Sequence, residues 1–151
     1  MVNKEEFDQI IDYAIEREKE AVQFYHELQT SVHFTERQKL LANLEQMEQG
    51  HVTMLEKIRN QKIEELVIPE VENLHISEYI VQDEPSGELS YQDILITAMK
   101  REESSYRLYT DLAEKTGDMG VRTIFSKLAS EEAKHKLLFE KMYDEEILTE
   151  G

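Results

Sequence analysis

Cysteine is absent from the chain, which excludes disulfides, thiol catalysis, iron–sulfur clusters and cysteine-ligated zinc. Glycine and proline are scarce, at five and two of 151 residues. With abundant Glu, Leu, Lys, Gln and Ala, that scarcity points to an all-α fold. Basic residues are also few: 17 against 33 acidic ones, for a formal net charge of -16. Such a deficit argues against nucleic-acid binding and against docking on an anionic membrane, both of which need a basic surface. No apolar run approaches a membrane span, and the opening MVNKEEFDQI has no apolar core of a signal peptide, so the expected compartment is the cytoplasm. Disorder is not expected, because 40% of residues are hydrophobic and regularly spaced.

Four long amphipathic segments occupy roughly 4–31, 36–61, 91–116 and 119–147. Thr35 with Gln38 reads as a capping box opening the second, Ser90 with Asp93 as a weaker one opening the third, and Gly117 as the cap closing it. The links near 31–35 and 117–120 are short, which makes each pair of helices antiparallel neighbours. Between the pairs, residues 67–89 carry both prolines, Pro69 and Pro85, together with Gly87 and no sustained period. The expectation is a single domain over 1–151, with 67–89 as a long crossover holding a helical turn near 72–81. Helices of this length with such a crossover match a ferritin-like four-helix bundle better than a simple up-down one.

The chain repeats itself. A gapless shift of 84 positions aligns AIEREKEAVQFYHEL (14–28) with AMKREESSYRLYTDL (98–112), and LEQMEQGHVTMLEK (44–57) with LASEEAKHKLLFEK (128–141). Two related helical hairpins packed about a pseudo-twofold axis are expected. The three-and-four spacing of a buried seam runs Phe7, Ile11, Ala14, Glu18, Ala21, Tyr25, Leu28 in the first helix, and Leu41, Leu44, Glu48, His51, Leu55, Ile58 in the second. The third gives Tyr91, Leu95, Ala98, Glu102, Ser105, Tyr109, Leu112, and the fourth Phe125, Leu128, Glu132, His135, Phe139, Met142. Each seam is apolar except near its middle.

Four carboxylates at core positions repel one another and cost several kcal/mol each to bury without partners. Arg17 and Arg101, next in sequence to Glu18 and Glu102, point about 100° away around their helices and belong at the edge. Two divalent cations would balance the four charges. The i,i+3 spacing of Glu48 with His51 and of Glu132 with His135 lets both side chains of each pair meet one ion. A donor set of oxygen and nitrogen suits iron or manganese and gives no reason to expect structural zinc.

A Glu on each of two helices and Glu-x-x-His on each of the other two is the di-iron carboxylate signature. With the repeat and the EEAKH segment (131–135), the chain resembles the rubrerythrin branch of the ferritin-like superfamily from about Phe7 to Ile147. The resemblance implies two iron ions, with Glu18 and Glu102 as terminal ligands, Glu48 and Glu132 bridging, and His51 and His135 completing one shell each. It also implies that Tyr25 and Tyr109 lie near the site and hydrogen-bond ligands; simple core packing is the competing reading. Two departures bear on activity. The family pattern has a carboxylate three residues after the third helix's glutamate, where this chain has Ser105, and that carboxylate lets one iron change ligand during peroxide reduction. The rubredoxin domain that feeds electrons to rubrerythrins is also missing, so the reductant would be a separate protein or small molecule.

The leading expectation is a di-iron oxidoreductase, a peroxidase or ferroxidase acting on hydrogen peroxide or oxygen. Ser105 weighs against efficient peroxidase turnover. The alternatives are a non-catalytic iron-binding or iron-sensing module with a protein partner, and a purely structural bundle with vestigial glutamates. A homodimer is compatible with such folds, although no apolar stripe marks an interface. The small residues Ala21 and Ser105 read either as close helix packing or as a cavity admitting oxidant. His26, His33 and His75 read as surface residues, Glu45 as a solvated one, and Met47, Met54 and Met142 as packing.

Overall fold

A computed structural model describes residues 4–30, 35–60, 79 and 90–145. They form four helices: α1 (Lys4–Leu28), α2 (Thr35–Asn60), α3 (Tyr91–Lys115) and α4 (Met119–Tyr143). Acidic residues open α1 (Glu5, Glu6), α2 (Glu36) and α3 (Asp93), and basic ones close α2 (Lys57, Arg59), α3 (Lys115) and α4 (Lys141). Both placements oppose the helix dipole favourably. No helix among the described residues is long and apolar enough to cross a membrane.

Two helix starts carry explicit caps. Ser90 and Asp93 form the expected capping box: Ser90 Oγ accepts from the Asp93 amide at 3.1 Å, and Asp93 Oδ2 from the Ser90 amide at 3.4 Å. Asp118 Oδ1 accepts from the Val121 amide at 2.9 Å and starts α4. The end of α3 differs from expectation. Its cap is Thr116, extended at φ -84° and ψ 141°, and not Gly117. The turn is organised by side chains, since Thr116 Oγ1 accepts from the Asp118 amide at 3.2 Å just before Asp118 caps the next helix. α2 is described from Thr35 onward, so the start of the helix, where the box of Thr35 with Gln38 is expected, lies at the edge of the described residues. α4 runs to Tyr143 and continues as a π-turn through Asp144 and Glu145, the Asp144 amide donating to the carbonyls of Glu140 and Lys141; the expected end at 147 lies outside the described residues.

The chain divides into two compact units, Met1–Val71 and Glu72–Gly151. In the first, α1 packs antiparallel on α2. Arg59 near the end of α2 bonds Asp12 Oδ1 at 2.8 Å and Asp8 Oδ2 at 3.3 Å on the first turns of α1. At the other end, Gln29 Nε2 donates to Glu45 Oε1 at 2.7 Å. In the second unit α3 packs antiparallel on α4, with the rings of Tyr109 and Phe125 parallel to within 12° at 6.4 Å. Lys136 bridges Glu103 (2.9 Å) and Glu140 (3.5 Å).

Most of the expected crossover, including His75 and the turn near 72–81, lies outside the described residues, as does His33. Tyr79 is the exception, and it is buried against α3. Its hydroxyl donates to Asp111 Oδ2 at 2.6 Å, its carbonyl accepts from Ser104 Oγ, and the Arg107 guanidinium sits 5.7 Å above its ring. Ser104, Arg107 and Asp111 are spaced by three and four, so they present one face of α3 to the tyrosine.

Candidate metal centre

The apolar seam positions of α2 and α4 are all buried, as are Phe7, Ile11, Ala14, Leu28, Leu95, Ala98 and Leu112 on α1 and α3. Burying these residues fixes the rotation of every helix about its axis. The same rotation carries the ionisable seam residues inward. Glu18, Glu48, His51, Glu102, Glu132 and His135 are each no more than 4% exposed. Lys, Glu, Arg and Asp are almost never this buried unless paired.

Within the first hairpin, Glu18 on α1 faces Glu48 and His51 on α2. His51 Nδ1 lies 3.4 Å from Glu18 Oε2 and 3.6 Å from Glu48 Oε2. The second hairpin repeats this arrangement: His135 Nδ1 lies 3.5 Å from Glu102 Oε2 and 3.7 Å from Glu132 Oε1. In each trio, every residue offers a ligand atom within 4.8 Å of those of the other two. The six residues expected from spacing therefore form two matched trios, each of two carboxylates and one imidazole.

The electrostatics of the first trio show what it lacks when it holds only protons. Burial, then the charge of Glu48 and a hydrogen bond with it, push the Glu18 carboxyl well above its ordinary range, with His51 pulling the other way. Burial disfavours the His51 imidazolium, but hydrogen bonds and charge from Glu18 and Glu48 outweigh that and push its pKa up to about 11. The trio thus gathers positive charge from protons. A divalent cation provides the same compensation more completely, and two oxygen donors with one nitrogen form a chemically suitable set for iron or manganese.

Arg17 stays at the edge as expected: it is half-buried, pairs with Glu20 and lies 5.6 Å over the Tyr13 ring. Tyr25 and Tyr109 are both 1% exposed. Ala21 and Ser105, equivalent under the repeat, are both half-buried. His26 is exposed, yet its Nδ1 lies 3.1 Å from Glu45 Oε1, so Glu45 belongs to a half-buried interhelical network and not to a freely solvated face. Met142 is buried and Met54 half-buried, but Met47 is 40% exposed, because it stands one step off the α2 seam.

Periodicity did not reveal Tyr79 and its partner Asp111, because a single tyrosine in an aperiodic stretch carries no spacing to read. The family model described as Rubrerythrin matches residues 9–143. No curated protein and no solved structure matches the chain.

Proposed function

The chain belongs to the rubrerythrin family, with an all-α, ferritin-like fold, and on that premise we propose that it is a di-iron oxidoreductase acting on hydrogen peroxide or oxygen. The observation that supports this most directly is the pair of matched buried trios. In this reading Glu18, Glu48 and His51 hold one ion, and Glu102, Glu132 and His135 the other. Two ferrous ions would supply the two electrons that reduce one peroxide to water.

The protein's own contribution is charge, geometry and exclusion of water. Four buried carboxylates would offset the charge of two divalent ions. His51 and His135 sit one helical turn from Glu48 and Glu132, so both side chains of each pair could meet the same ion. Burial of all six ligands removes competing water. Tyr25 and Tyr109 are buried seven residues beyond Glu18 and Glu102 on the same helices, and we assign them the delivery of protons to the reduced oxidant. Ser105 offers no carboxylate for ligand exchange, so peroxide turnover is expected to be slower than in relatives that carry one. Because these residues include no cysteine to hold an iron–sulfur or rubredoxin-type centre, this reading takes the reductant to be a separate protein or a small molecule.

The test is anaerobic reconstitution with Fe(II), metal analysis, then addition of peroxide or oxygen in separate experiments. The expected result is two iron ions per chain and consumption of at least one oxidant, with a change in visible absorption. Retention of iron with neither oxidant consumed would overturn the redox reading and favour a non-catalytic iron-binding module.

A further inference from the structure

The two hairpins diverge where the repeat sets His26, Gln29 and Glu45 against Thr110, Ala113 and Ala129. In the first hairpin, Glu45 on α2 holds Gln29 (2.7 Å) and His26 (3.1 Å) from the end of α1. In the second, three smaller side chains leave a groove of about 360 Å³ between α3 and α4, with the Tyr106 ring among its walls. That volume lies within the range of small-molecule pockets.

Two opposite charges line this groove, Glu114 on α3 and Arg122 on α4. Neither pairs with the other or with any charged group among the described residues. Arg17 and Arg59, in contrast, are each held by carboxylates, as the strong excess of acidic residues makes easy. A simple anion would suit Arg122 and be repelled by Glu114, and a simple cation would meet the reverse. A ligand carrying both charges satisfies both residues, while Ala113 and Ala129 give it an apolar floor.

We propose that this groove binds a free α-amino acid with an apolar side chain. Arg122 takes its carboxylate, Glu114 its ammonium, and the side chain lies over Ala113 and Ala129 beside Tyr106. The site uses no metal ligand and stands apart from the redox reading.

L-Phenylalanine, titrated into the full chain and followed by amide NMR shifts, is the probe. Saturable shifts confined to about 106–130 are expected. Arg122→Gln and Glu114→Gln, both at exposed positions where folding is safe, should each weaken binding roughly threefold to fivefold. 3-Phenylpropanoate and phenethylamine, each lacking one charge, should bind more weakly than phenylalanine. Absence of saturable shifts, unchanged affinity in both variants, or equal binding of the singly charged analogues would overturn the proposal. So would a concentration-dependent dimer that buries these residues and is insensitive to phenylalanine.

Discussion

Gln92 Nε2 donates a hydrogen bond to the Tyr143 hydroxyl at 3.1 Å, and the repeat sets these residues opposite Asp8 and Arg59, which are 3.3 Å apart as an ion pair. One location in the hairpin template is closed by a neutral bond in one copy and by charge in the other. The tie between the start of one helix and the end of its partner has been kept while its chemistry changed.

That difference is measurable. Arg59→Gln should destabilise the chain by about 0.5–1 kcal/mol at low salt, since its partners are partly exposed, and most of the loss should vanish in 1 M salt. Tyr143→Phe should cost a similar amount with little salt dependence. Urea unfolding at two salt concentrations separates the two.

Metal should stabilise the fold by mass action. Free Fe(II) or Mn(II) at 100 times its dissociation constant adds about 2.7 kcal/mol per site. Glu48→Leu with Glu132→Leu should abolish this gain and make the metal-free protein about 1–4 kcal/mol more stable, because buried charge is replaced by packing. Thermal melts with and without metal test both halves; a metal-dependent gain that survives the double substitution would exclude these trios as the site.

Stability of the metal-free protein should fall as pH rises. Glu18 and His51 both hold protons more tightly folded than unfolded, so their contribution is complete below their unfolded values. It is lost as pH climbs through the folded ones, for His51 between about 6.5 and about 11. Metal affinity should move oppositely over the same window, because the ion displaces these protons. Denaturation of the metal-free protein at pH 6, 8 and 10, beside metal titrations at the same values, checks the paired signs.

Gly50 stands in the middle of α2 beside His51, and a Cβ added there meets nothing within 4 Å. Gly50→Ala should therefore stabilise the chain by about 0.5–1 kcal/mol through backbone entropy alone. An unchanged denaturation midpoint would mean that the unfolded state is already restricted at this position.

Much of the helical framework was legible because it rests on local rules. The Ser90 and Asp93 box is a contact between neighbours in sequence, and the seam from Phe125 to Met142 needs only a period to be seen. At the cap of α3 two rules compete. Glycine favours the end of a helix, but Thr116 and Asp118 supply side-chain bonds that stop α3 one residue sooner. Glu45 shows the opposite failing: nothing in its own neighbourhood distinguishes it from a solvated acid, and only the approach of α1 gives it Gln29 and His26.

For the candidate centre, periodicity was enough to choose Glu48 over Glu45 and Glu132 over Glu131, since the apolar seam sets each helix's rotation and the ligands share that seam. Distances across each hairpin were another matter. Whether Glu18 meets His51, or Arg122 and Glu114 line one groove without pairing, depends on how far apart two helix axes run. That separation is set by the sizes of side chains from both helices at once, so no single stretch of the chain contains it.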